Sequence, residues 1–181
     1  MITNVQLIGT TVYLSLVLAC VVAAIAGYQD LKTRTISNAL TYSALALGCA
    51  IALATGTLGS ALGGAAIAGG SGLLLYLCRA MGGGDVKLLA AVGSLLGYSL
   101  SLEMLFYGVL FGGAWSIFAL CMKGVMLQTL KEMWLLIRSL IYPMVPLFVP
   151  AQGAHVAGGV VIAAATLWVV VSAVAATPLP V

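Results

Sequence analysis

The chain has 181 residues, of which 63% are hydrophobic and 6% charged, and its mean hydropathy is +1.21. Soluble domains carry about 25% charged residues, so a water-soluble monomer is excluded and one integral-membrane domain over 1–181 is expected. A net charge of +3 with no cluster of basic and aromatic residues excludes a nucleic-acid partner.

A helix crosses a bilayer core in about 20 apolar residues. Such runs predict six spans, near 6–27, 39–56, 59–79, 86–100, 103–122 and 155–175. The first basic residue is Lys32, so the N-terminal run is not expected to be a cleavable signal peptide. Residues 86–122 as one helix would be about 55 Å long, too long for one crossing. A turn is therefore predicted at GYSLSLE, 97–103, which also gives Glu103 an aqueous position. GxxxG patterns at 59–63, 93–97 and 108–112, with the Gly- and Ala-rich run 63–72, predict close helix packing.

Residues 123–142 have a different pattern. Gln128, Lys131, Glu132, Arg138 and Ser139 share one stripe, with Leu135 the exception inside it, and the bulky apolar residues lie elsewhere. This predicts an amphipathic helix in the membrane interface between spans 5 and 6. Pro143, Pro146 and Pro150 end it, and His155 begins the last span as an interfacial residue.

All seven basic residues fall in or beside the connections after spans 1, 3 and 5: Lys32, Arg34, Arg79, Lys87, Lys123, Lys131 and Arg138. The positive-inside rule makes that side cytoplasmic and puts both termini outside. The expected fold is thus an all-α, polytopic bundle of six transmembrane helices in the cytoplasmic (inner) membrane. Cys20, Cys49, Cys78 and Cys121 are scattered in apolar runs with no CxxC spacing, so zinc and disulfides have no support, and no metal or cofactor is expected.

The chain has four acidic residues, and two of them fall at the same membrane face. Asp30 follows span 1, in GYQDLKTRTISN, and Asp85 precedes span 4, in MGGGDVKLL. Asp85 has an ordinary reading as a helix N-cap, and Asp30 as a boundary charge pairing with Arg34. Charge near a membrane is nonetheless costly and marks function by default. Three consecutive glycines, Gly82, Gly83 and Gly84, leave room for an extended peptide to approach Asp85. They do not form a phosphate loop, which needs GxxxxGK[ST]. Two carboxylates at one site share a proton, one member taking a proton from water and the other polarising a carbonyl. The helix macrodipole favours Asp85 as the ionised member. A small transporter using Asp30 and Asp85 as a proton or ion relay is the non-enzymatic alternative, against which both acids lie at one face rather than at mid-membrane.

GGGD at 82–85 resembles the GxGD signature of intramembrane aspartic peptidases. With the first motif, DLKTRTISN at 30–38, read as D-x3-R-x-I-x-N, it resembles prepilin peptidases. The resemblance implies catalytic roles for Asp30 and Asp85, with Arg34, Asn38, Gly82, Gly83, Gly84 and Lys87 forming the surrounding loop and substrate site. It implies a prepilin substrate, whose leader is cut at the cytoplasmic face after a Gly and before an apolar helix in the lipid bilayer. The short chain and the absence of paired CxxC motifs imply peptidase without N-methyltransferase activity, most like the minimal tight-adherence (Flp) pilus enzymes of TadV/CpaA type. Archaeal preflagellin peptidases are the related alternative.

Overall fold

The computed structural model describes residues 2–78, 81–124, 127, 131, 134, 135 and 158–176. Among the described residues five helices are delimited, in chain order: α1 (Ile2–Thr33), α2 (Asn38–Thr55), α3 (Leu58–Leu77), α4 (Gly83–Lys123) and α5 (Gly158–Ala176). Among the described residues no strand forms. All five helices contain a stretch long and apolar enough to cross a membrane. Large apolar side chains such as Val17, Leu74, Leu110 and Val171 stand exposed on them. This is a multi-pass membrane protein.

The chain forms two compact units, Met1–Phe111 with Ala157–Val181, and Gly112–Val156. In the first unit α1 buries one helical stripe, Leu16, Ala19, Ala23 and Ala26, while α5 buries Ile162, Ala165 and Val169. The 3- and 4-residue steps bring these side chains onto single faces. α2 and α3 bury almost nothing large. Their inward positions are Thr41, Ala44, Gly48 and Ala52, and then Ala61, Gly64, Ala68 and Gly72. Gly56, at φ 72°, ends α2 in a left-handed cap, with Thr57 N–H donating to Ala52 O at 2.8 Å.

Small residues on α3 bring its backbone against the first part of α4. A methyl group on Gly64 would clash with the backbone of Gly93 and Gly97; one on Gly69 would stand 2.9 Å from Ala90 Cβ. The packing predicted from GSLLG at 93–97 is therefore present. Gly59, in the GSALG pattern at 59–63, faces open space. Gly64→Ala should accordingly lower stability in detergent by about 1–3 kcal/mol, because backbone on both helices must move, while Gly59→Ala should be stable to within about 0.5 kcal/mol. Thermal unfolding followed by size-exclusion chromatography reads both.

The predicted fourth and fifth spans form one helix of 41 residues, interrupted at Gly97 by non-helical φ 72°, ψ −178°. Residues eight apart in an unbroken helix are separated by about 12 Å along its axis. Ser101 Oγ nevertheless donates to Gly93 O at 3.2 Å, so the segments before and after Gly97 fold toward each other. Ser60 Oγ, on α3, accepts the Tyr98 N–H at 3.2 Å, satisfying a donor that the break releases. The break occupies a single residue rather than 97–103, because only Gly97 must leave helical space and the following YSLSLE has no breaker of its own. Glu103, six residues beyond it, is exposed. After the break, Ser101 and Met104 enter the core. Tyr107 and Phe111 pack on Trp168 of α5, with ring centroids 6.0 and 6.3 Å away.

The described part of the second unit is the end of α4. It carries exposed Trp115 and Phe118, 6.1 Å apart, and closes at Gly124 with φ 65°. Most of the predicted amphipathic helix at 123–142 lies outside the described residues, as do Arg79, His155 and the three prolines before the last span.

Candidate active site

α1 runs six residues past its predicted end, because YQDLKT (28–33) holds no glycine or proline. Asp30 therefore lies in the last turn of α1, beyond the predicted span. Arg34 ends α1 in the left-handed region, φ 52°, and its N–H donates to Asp30 O at 3.0 Å. Its exposed position is otherwise that of a helix terminus. The loop that follows folds back on α1. Gln29 Oε1 accepts the Ser37 N–H at 3.1 Å, and Thr33 Oγ1 donates to Gln29 O at 2.8 Å.

This return brings Ile36 onto the glycine loop. A methyl group on Gly84 would stand 3.4 Å from Ile36 Cβ, so the two motifs lie side by side with room for little more than a methyl group between them. Gly82 and Gly83 remain exposed. Asp85 is the third residue of α4, not its cap, and its carboxylate accepts a backbone hydrogen bond from Gly82. That is the reach-back half of a capping box, in which the third helical residue bonds the N-cap amide. Lys87 Nζ donates to Asn38 Oδ1 at 2.8 Å and lies 5.5 Å from the Tyr42 ring centroid. Together they tie the start of α2 to the first turn of α4.

The two carboxylates meet at the start of α5. Gly159 N–H donates to Asp30 Oδ2 at 2.9 Å. A methyl group on Gly158 would stand 2.8 Å from Asp85 Cγ and 3.1 Å from its Oδ1. Asp30 and Asp85 are both half-buried, and Asp85 lies close enough to Asp30 to feel its charge. Among the described residues no three His, Cys, Asp or Glu side chains gather; these two acids stand as a pair.

The model of the type IV leader peptidase family matches residues 16–117, more than half of the chain and both carboxylates. The chain belongs to that family. No curated protein and no solved structure matches it. The family match and the apolar helices together make it a multi-pass membrane protease. The matched stretch ends before α5, so the Gly158–Gly159 pair that touches both acids lies beyond it.

Of the residues singled out from sequence, Asp30 and Asp85 converge, Gly84 abuts the first motif, and Lys87 and Asn38 bond to each other. Arg34 reaches Asp30 through its backbone N–H. Sequence reasoning missed Gln29, Ile36, Tyr42, Gly158 and Gly159. The signal for the last two was a glycine pair opening an apolar run, which in a chain with 22 glycines had nothing to set it apart.

Proposed function

We propose that this leader peptidase is an aspartic endopeptidase that removes the leader of type IV (Flp-like) prepilins, with Asp30 and Asp85 activating water. The observation that carries this reading is the meeting of both half-buried carboxylates at one dipeptide. In an aspartic dyad two acids held at one site share one proton.

The reaction follows from that shared proton. The ionised carboxylate takes a proton from water as its oxygen bonds to the scissile carbonyl carbon. The protonated carboxyl gives its proton to the carbonyl oxygen, forming a gem-diol. The C–N bond then breaks. The first acid protonates the departing amine, and a gem-diol proton returns to the second. One water is consumed and the dyad is restored. Asp85 begins a helix, which favours it as the ionised member, with Asp30 as the protonated one. Asp30 ends α1 but also accepts an amide at the N-terminus of α5, so the two helix dipoles act on it in opposite directions.

Exposed Gly82 and Gly83 leave an approach along which the backbone of an extended leader can lie beside Asp85. In this reading Lys87 and Asn38 hold the helix starts in register around that approach, and exposed Arg34 borders it. The break at Gly97 lets α4 supply two crossings, which supports six spans with both termini outside. All seven basic residues then share the cytoplasmic side of the inner membrane with the dyad. The chain has no CxxC pair, which supports peptidase activity alone, of the TadV/CpaA type.

Co-expression with a prepilin, followed by gel mobility and N-terminal sequencing, tests the reading, with Asp30→Asn and Asp85→Asn as the decisive variants. Lys87→Gln should slow processing by about 10-fold or less: the lost bond is charge-assisted, at about 1.5 kcal/mol, and it positions helices without touching the reacting atoms. An initial-rate comparison on the same substrate checks this. A loss as deep as that of an Asp variant would place Lys87 in the chemistry.

A further inference from the structure

We propose that Gly158 and Gly159 are positioning residues that set the spacing of the two carboxylates: the Gly159 amide holds Asp30, and the bare backbone of Gly158 gives Asp85 its place alongside. The proposal rests on the peptidase reading above and extends it to α5, which lies outside the family match.

The first amides of a helix have no partner within it. Gly159 N–H spends its free donor on Asp30 Oδ2, across 129 residues of sequence, at the 2.9 Å typical of a charge-assisted bond. At Gly158 the nearest neighbours of an added methyl group are all Asp85 carboxyl atoms, and at Gly159 they are Asp30 Cβ at 3.0 Å, Oδ2 and Cγ. Simple helix packing looks different. For a methyl group on Gly27, on α1 in the same α1–α5 contact, the nearest neighbours are Ala163 Cβ at 3.3 Å, Gly159 O at 3.5 Å and Val160 Cα at 3.7 Å, rather than carboxyl atoms. An alanine at 158 must therefore displace the Asp85 carboxyl itself.

A displacement of about 1 Å at a reacting group costs on the order of 100-fold in rate. It also weakens the repulsion between the two acids, so the acidic and basic limbs of the pH–rate profile draw together. Among the described residues, the other charged groups of the two motifs are engaged or exposed: Lys32 over the Tyr28 ring, Lys87 on Asn38, and Arg34 at the end of α1.

The test reconstitutes wild type, Asp30→Asn, Asp85→Asn, Gly27→Ala, Gly158→Ala and Gly159→Ala in liposomes and measures prepilin cleavage across pH. Wild-type activity lost in both Asn variants establishes the dyad independently of the glycines; without it, the peptidase reading itself fails. Given the dyad, Gly158→Ala is expected to lower kcat about 100-fold, with KM within about threefold and the pH limbs drawn together. Gly159→Ala is expected to move the limbs in the same way, and Gly27→Ala to leave them in place. Wild-type pH limbs in both Gly158→Ala and Gly159→Ala would overturn the proposal. So would equal kcat losses in Gly158→Ala and Gly27→Ala with unmoved limbs, which would mark helix packing alone. If Gly158→Ala fails to insert, Gly159→Ala decides by its limbs.

Discussion

Asp30→Asn and Asp85→Asn should each lower the rate of leader removal by about 10³-fold or more, and the double variant should be no slower than either single one. Asparagine keeps the size of the side chain and removes its titratable proton. A single general acid or base contributes about 10²–10⁴-fold. In a shared-proton pair, loss of one member also strips the other of its role, so the losses do not add. Asp30 would keep its Gly159 hydrogen bond as asparagine, through its side-chain oxygen, so the variant should still fold. Initial rates on one prepilin, normalised to membrane-inserted enzyme, check both statements. Losses that multiply in the double variant would mean that the two acids act separately.

Gly97→Ala is the structural substitution with the largest expected effect. At φ 72° and ψ −178° the residue occupies a region essentially restricted to glycine, where any other residue costs about 1–3 kcal/mol. The added methyl group would also stand 2.7 Å from Ser60 Oγ, the group that accepts the Tyr98 N–H. Strain and a lost hydrogen bond of about 1 kcal/mol then act together. Relaxing the backbone toward helix would straighten α4 and pull Ser101 from Gly93 O and Met104 from the core. The expected outcome is a loss of about 2–4 kcal/mol in detergent stability, with Ser60→Ala alone costing about 1 kcal/mol. Chemical unfolding of the purified protein reads both. A Gly97→Ala protein as stable as wild type would show that the bend is not held by this residue.

The sequence carried much of this arrangement, and the reasons are physical. Twenty apolar residues have few alternatives to a spanning helix, so α1, α2, α3 and α5 are legible from hydropathy alone. The excess length of 86–122 forced a break, but several residues of GYSLSLE are compatible with a turn; only the backbone shows that Gly97 supplies it all. Hydropathy falls at Tyr28 and marks the end of the first span, whereas helix geometry continues until Arg34 turns left-handed. Asp30 and Asp85 were legible because acids are scarce here. The α5 amide between them was not, because a backbone donor has no sequence signature, and Ile36 read as one more apolar residue.

The most direct test of the central claim is cleavage of a synthetic prepilin segment, leader plus apolar helix, by the purified protein in liposomes, with the product read by mass. The expected result is a single cut after the Gly that precedes the apolar helix, absent from Asp30→Asn and from Asp85→Asn although both are inserted. A product of the same mass from either variant, at a rate near that of wild type, would contradict a two-carboxylate peptidase.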